Sequence, residues 1–350
     1  MKLRKIVLSF FAIAIVTLVT VSTNVYAKSN SAGFTVAKVT PANQYREAAQ
    51  FDIKMNPNST QTLALKIKNL ENDTKTIVVS PNSSYTNTNG LIVYDKTNVK
   101  KPATAKYQFS ELVSKKQDVV VGPKKTETVT FTVKTPATSF SGIVLGGFNV
   151  QEKVIKEKNK GKGISITNRF AYVVQAVIRE SETADNPNPK ITIGDSKVVL
   201  NALNKVSLQT NMQNDVPIVI GPTTIKATIT ENSSSTVLYD KTIKDVDFAP
   251  NAKFSYALDL TKAKLSAGKY DVHYTVTGND KSWEATNSFT ITKANIKQIK
   301  SDNKAAEPHI SWLLWLIIGI IALLILLVLF LLFIILKRRK KDKEESLENK

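Results

Sequence analysis

The chain of 350 residues holds two histidines, His273 and His309, and no cysteine, so the side chains that most often carry acid–base and thiol chemistry are nearly absent. His273 falls on the opposite strand face from Tyr270, Val272, Tyr274 and Val276, and His309 lies in a polar segment. There is no H-E-x-x-H, no G-x-S-x-G and no Ser/Lys motif of the penicillin-binding kind, so a hydrolase would need an unmarked carboxylate constellation. Asp245-Val246-Asp247 sets two carboxylates on one side of a strand, too few for a calcium cage. No catalytic residue, metal site or cofactor is predicted.

The remaining side chains favour binding. Tyr85, Asn87, Asn89 and Tyr94 bracket Asn87-Thr88-Asn89-Gly90. Amides beside aromatic rings suit a sugar or muropeptide, although a turn with Gly90 at positive φ explains the same residues more simply. Lys156, Lys158, Lys160 and Lys162 lie within Lys156-Glu157-Lys158-Asn159-Lys160-Gly161-Lys162. They would form a basic hairpin tip, either an electrostatic contact for teichoic acid, phospholipid or a partner, or a solvated turn.

Strands must position these groups. Leu63 to Lys68, Val129 to Val133, Ile225 to Ile229, Phe254 to Leu258 and Tyr270 to Val276 alternate apolar and polar residues. Asn56-Pro57, Asn89-Gly90 and Gly221-Pro222 break the runs. Ile143 to Ile155 and Ile164 to Ile178 are long enough to pair as a protruding arm. The pattern predicts an all-β fold: two tandem immunoglobulin-like β-sandwich domains followed by one transmembrane α-helix. Glycines Gly146-Gly147 within a strand suggest a bulge or a close backbone approach, and Trp283 is read as a core residue. No amphipathic helix is evident outside the apolar segments.

The expected order begins with a signal peptide at 1–27, whose Lys2, Arg4 and Lys5 precede an apolar stretch and a Val25-Tyr26-Ala27 cleavage pattern. A first sandwich at 33–180, a linker at 181–189 carrying Pro187 and Pro189, and a second sandwich at 190–293 follow. A polar stalk is expected at 294–309, then a membrane helix at 312–336 and a basic cytoplasmic tail at 337–350. Residues Trp312 to Leu336 carry no charge and end in Lys337-Arg338-Arg339-Lys340-Lys341. Such a run is about 37 Å long as a helix, and its basic flank places the C-terminus in the cytoplasm. The formal net charge is +19, of which about +13 falls on the ectodomain, in keeping with an anionic surrounding of wall polymers and lipids. A cysteine-free exported chain points to a bacterial surface, and export argues against a nucleic-acid partner. The absence of an L-P-x-T-G-like signal before the helix argues against covalent attachment to the wall.

Ordered motifs add a resemblance. Phe34-Thr35-Val36, Pro41-x-Asn43-Gln44, Phe51-Asp52-Ile53, Thr86 to Gly90 with Tyr94, Phe140-Ser141-Gly142-Ile143-Val144-Leu145-Gly146-Gly147 and Asn168 to Tyr172 resemble the N-terminal domain of the WxL-interacting protein family of Gram-positive bacteria. Phe248-Ala249-Pro250-Asn251, Phe254-x-Tyr256, Leu265 to Tyr270 and Trp283 resemble the family's second domain. The resemblance implies a peptidoglycan-binding first domain and a second domain that binds WxL-domain surface proteins or a host component such as extracellular matrix. It implies a scaffold and not an enzyme; the alternative class is a wall-remodelling enzyme or an assembly chaperone. Trp312-Leu313-Leu314 has the WxL letters but sits at the membrane entrance, where Trp312 and Trp315 serve as interfacial anchors.

Overall fold

The computed structural model describes residues 32–153, 169–181, 187–201, 205–306 and 312–348. The segment 1–27 and Lys156, Lys158, Lys160 and Lys162 lie outside the described residues, as do linker positions 182–186 and His309.

The first sandwich contains β1 (Phe34–Val39), β2 (Phe51–Lys54), β3 (Thr60–Asn69), β4 (Lys75–Ser83), β5 (Tyr85–Thr86) and β6 (Ile92–Val93). After a single helical turn, α1 (Phe109–Leu112), come β7 (Gln117–Val121), β8 (Thr126–Lys134), β9 (Ile143–Glu152) and β10 (Ala171–Arg179). One sheet runs β1-β3-β8, and the facing sheet runs β2-β10-β9-β4-β7. The alternating positions of β3 and β8 send Leu63, Leu65, Ile67, Val129, Phe131 and Val133 between them. Phe148 centres this core, with Phe51, Phe109 and Phe131 packed around its ring at centroid distances of 5.9, 5.7 and 4.9 Å.

Strands β9 and β10 pair antiparallel over nine positions, from Ile143↔Arg179 to Gln151↔Ala171, as their pattern predicts, while the tip of the expected arm lies outside the described residues. β10 then pairs in parallel with β2. A bidentate ion pair bolts that junction: Arg179 Nε and Nη2 donate to Asp52 at 2.7 and 3.1 Å, and Tyr45 stacks on the guanidinium at 5.0 Å. With Asp52 only 3% exposed, loss of either partner would leave a charge without its counter-ion.

The second sandwich comprises β11 (Ile191–Leu200), β12 (Val206–Asn214), β13 (Ile220–Glu231), β14 (Val237–Phe248), β15 (Lys253–Asp259), β16 (Gly268–Gly278) and β17 (Lys281–Ile291). Its sheets are β11-β12-β15 and β14-β13-β16-β17. Tyr274 is fully buried and exchanges a 2.7 Å hydrogen bond with Thr210 across the core. Trp283 packs on this core half-buried. Gly221-Pro222, a break in the sequence pattern, lies inside β13 at a register shift.

One element departs from the expected order. Residues read as a polar stalk form α2 (Lys293–Ala306). Thr292 and Asn295 cap it reciprocally, the Thr292 N–H donating to Asn295 Oδ1 and the Asn295 N–H to Thr292 Oγ1. Ile296 and Ile299, three residues apart, pack against the second core. Two apolar residues are too few to show as an amphipathic stripe, yet they suffice where a sandwich end is open beside them. A helix of that length spans about 21 Å, well short of the 50 to 60 Å an extended stalk would reach. Beyond it, α3 (Trp312–Glu348) contains a 21-residue apolar stretch, Ile318–Arg338, long enough to cross a membrane.

Gly146 and Gly147 in β9 are close approaches and not a bulge. A Cβ on Gly146 would lie 2.1 Å from Phe109 Cγ, and one on Gly147 would meet Tyr94 and Val173. Gly146→Ala should therefore displace Phe109 from the core and cost about 1–3 kcal/mol, read as a lower thermal midpoint. An unchanged midpoint would show that Phe109 moves freely.

Candidate functional site

The residues singled out for ligand contact converge on the junction between the sandwiches. β5 and β6 pair through Tyr85↔Val93 and Thr86↔Ile92, and the tight turn between them is built by Asn87. Its Oδ1 accepts the N–H groups of Asn89 and Leu91 at 2.9 and 3.1 Å, and Gly90 takes φ +82°. The turn reading of this motif holds, and the turn has a destination.

That destination is the second sandwich. Thr86 Oγ1 donates to the Asp247 carbonyl at 2.8 Å and accepts the Ala249 N–H at 2.9 Å. The Asp247 N–H donates to the Gly90 carbonyl at 2.8 Å. A Cβ on Gly90 would stand 2.8 Å from Val246 Cγ2, so glycine is needed there for its positive φ and for contact. Nearby, the Ile143 N–H donates to the Pro217 carbonyl at 2.7 Å, and Gly142, at φ +70°, leaves no room for a Cβ beside that oxygen.

Tyr85 and Tyr94, each 9% exposed, are committed to this junction. Tyr94 forms a small apolar cluster with Leu145 and Val177, joined by Ile92, Ile143 and Val219 of the second sandwich. Burial raises its phenol above the ordinary tyrosine range, with a hydrogen bond to Gln175 opposing that shift. Tyr85 donates to Asp95 at 2.6 Å and lies 4.3 Å beneath the Lys96 ammonium. Burial, then Asp95, raises its phenol too. Of the four, Asn89 alone is exposed, while Asn87 is half-buried and occupied in the turn.

Beside these contacts opens a cleft of about 130 Å³ lined by Lys106, Tyr107, Phe140, Ser141, Asp215 and Asn251. Tyr107 and Phe140 meet edge to face at 6.1 Å. Asn251 Oδ1 is buried without a hydrogen-bond partner, leaving an acceptor at the floor. An ammonium, a hydroxyl and a free amide oxygen beside a half-buried ring can hold a small polar group. The cleft was not legible in the sequence, because its two walls are about 110 positions apart.

The other flagged residues fall outside this region. His273 is exposed and hydrogen-bonds Thr286 at 2.7 Å. Asp245 and Asp247 flank buried Val246 at an irregularity of β14, with Asp245 at φ +57°. Among the described residues no group of three or more His, Asp or Glu side chains could hold a metal ion. Burial, and then the Asp245 charge, raises the Asp247 carboxyl above its ordinary value of 3.8.

Comparison with known proteins gives two family matches in tandem. The model of the WxL Interacting Protein, peptidoglycan binding domain, matches residues 34–152, and that of the WxL Interacting Protein, host binding domain, matches residues 161–301. The division between them falls within the β9–β10 arm, whereas β10 belongs by hydrogen bonding to the first sandwich. No curated protein matches the chain. Among solved structures, the chaperone–tip adhesin complex of CFA/I fimbriae is 8% identical with a TM-score of 0.29, covering 73% of this chain and 98% of that one. The Escherichia coli chaperone DraB is 12% identical (TM-score 0.27, covering 72% and 96%), and the Pseudomonas aeruginosa chaperone CupB2 is 13% identical (TM-score 0.25, covering 67% and 95%).

Two outcomes follow from the junction. Thr86→Val removes a donor and an acceptor from a buried contact and should cost about 1–3 kcal/mol; Gly90→Ala should separate the sandwiches by collision with Val246. Both variants should gain protease cleavage in 181–189 and a larger maximum dimension by X-ray scattering, and wild-type values for both readouts would show that the turn does not hold the domains. Asp247 gives a pH signature. Its raised value means the folded state binds the proton more tightly than the unfolded state, so its contribution is fullest below 3.8 and declines as pH rises through the folded value. Asp247→Asn should remove that decline, so that its thermal midpoint gains on wild type from acid towards neutral pH. Parallel curves would refute the assignment.

Proposed function

The chain belongs to the WxL-interacting protein family, and from that premise we propose that it is a membrane-anchored scaffold of a Gram-positive cell surface. Its first sandwich holds the wall, its second captures a WxL-domain surface protein or a host ligand, and its apolar helix crosses the membrane with the basic tail inside. The observation that carries this reading is the order of parts: peptidoglycan-binding and host-binding matches on successive sandwiches, then an apolar helix of membrane length.

Physical features support each assignment. The apolar run is followed by five consecutive basic residues, Lys337 to Lys341, which are costly to move across a membrane. The edge of β14 has no strand partner on its outer side among the described residues, and it presents Val237 and Leu238, 56% and 41% exposed. An extended segment of a partner could add there through backbone hydrogen bonds. The cleft between the sandwiches and exposed Asn89 are further places for a small polar group of the wall. Lys156, Lys158, Lys160 and Lys162 would contribute an electrostatic contact at the arm.

The test uses the full-length protein in detergent. It should sediment with purified sacculi and retain a WxL-domain protein from a surface extract, without releasing muropeptides. Binding through the arm lysines should fall steeply with added salt. Loss of both interactions would overturn the scaffold reading, and muropeptide release would replace it with the enzymatic one.

A further inference from the structure

The first sandwich exposes the outer face of one sheet and covers the central strand of the other. Strand β9 is buried from Val144 to Val150, because its inner side meets the Phe148 core, with Phe109 on Gly146, while Tyr94 covers Gly147 and Leu145 from outside. The outer side of β1-β3-β8 has no such cover. Along β8 the four threonines at alternate positions from Thr126 to Thr132 are exposed. Thr126 and Thr128 pair with Lys68 and Lys66 of β3, and Lys134 closes the far end opposite Thr60.

Charge on this face is of one sign. Cross-strand partners lie on the same side of a sheet, so the outward positions of β1 are Thr35, Ala37 and Val39, paired with Lys68, Lys66 and Ala64. No carboxylate occupies an outward position of the three strands. The side chains of Lys66, Lys68 and Lys134 make no ion pair or hydrogen bond among the described residues. The edge of β8 adds more: Ser114, bonded to Thr132 in both directions, brings exposed Lys115 and Lys116 alongside. The outer face of the second sandwich is different, for there Lys226 and Glu284 flank Thr275 in one cross-strand row. Solubility alone would not require this contrast, since mixed charge serves it equally well.

A row of hydroxyls framed by ammonium groups fits a ligand that is both hydroxyl-rich and repeatedly anionic. We propose that the β1-β3-β8 face binds a linear phosphodiester-linked polyol, of the polyglycerol phosphate type, laid along β8. The repeat matches: phosphorus to phosphorus across a three-carbon polyol is six bonds, as is the two-residue step of an extended chain, which rises about 7 Å. From Thr126 to Lys134 the strand offers about 27 Å, room for about four repeats. Phosphates meet the lysine ammoniums as point charges, and the polyol hydroxyls exchange hydrogen bonds with the threonines between. This rests on the wall-binding reading of the first sandwich and specifies its ligand.

The test measures purified poly(glycerol phosphate) binding to the full-length protein in detergent, with poly-γ-glutamate as the control polyanion. Wild type should bind the polyol polymer at least tenfold more tightly than poly-γ-glutamate. The triple variant Lys66→Gln, Lys68→Gln, Lys134→Gln should lose at least tenfold in affinity and much of its salt dependence, with its thermal midpoint unchanged; the corresponding arginine variant should retain binding. Thr128→Ala with Thr130→Ala should weaken the polyol polymer and leave poly-γ-glutamate as it was. Equal affinity of wild type and the glutamine variant, or of the two polymers, overturns the proposal. Sacculi stripped of phosphodiester polymer separate the two readings. If the protein sediments with intact and stripped sacculi alike and the lysine variants change neither, this ligand is wrong and wall binding stands. If wild type sediments with neither, wall binding itself fails.

Discussion

The two-domain arrangement depends on one small contact: the Thr86 hydroxyl, held between the Asp247 carbonyl and the Ala249 N–H. Each buried hydrogen bond contributes only about 1 kcal/mol net, but leaving its partners unmet costs more. The contact therefore acts as a register pin more than as glue. It fixes where the Asn87–Gly90 turn meets β14, and with that the Tyr94 cluster and the cleft beside it. Gly90 and Gly142 allow the approach, since backbone carbonyls of one sandwich meet N–H groups of the other only where no Cβ intervenes.

Pinned in this way, the sandwiches are joined by a continuous run of contacts from β2 to α2. Strands β9 and β10 pair over nine positions, as do β3 and β8, and β10 is tied to β2 by the buried Arg179–Asp52 pair. Ile143 at the base of β9 reaches Pro217. On the far side α2 tucks Ile296 and Ile299 under the second core in place of a loose stalk.

Much of this was legible in the sequence, for a clear reason. Period-two alternation in Leu63 to Lys68 or Tyr270 to Val276 is dictated by a sheet with one wet face, so it survives in any context. The same rule hid what lies between elements. Tyr85 and Tyr94 look like a ligand platform when read alone, because nothing local announces that Tyr94 will pack on Leu145 and Val177, with Val219, about 125 residues later, beside them. Gly146-Gly147 marked a close approach, yet the intruders, Phe109 and Tyr94, could not be named. Residues 293–306 read as a stalk because two isoleucines among lysines and asparagines make no stripe; the helix is supplied by tertiary contact and the Thr292 cap.

The covered turn also alters how the first sandwich can meet a wall. With the β5–β6 side closed by the second domain and strand β9 buried on both faces, the β1-β3-β8 face is the open surface lined with hydroxyls and lysines, while the facing sheet is open towards β7 and the start of β10. A long polymer cannot enter a cleft of about 130 Å³, whereas it can lie on a flat strand lined with hydroxyls. Function is thus divided by shape. The cleft can take only a chain end or a single polar group, the edges suit an extended peptide, and the threonine face suits a repeating polymer. Docking the domains on the residues that first suggested a binding site moves the wall contact to the opposite sheet, away from the face shared with the second sandwich.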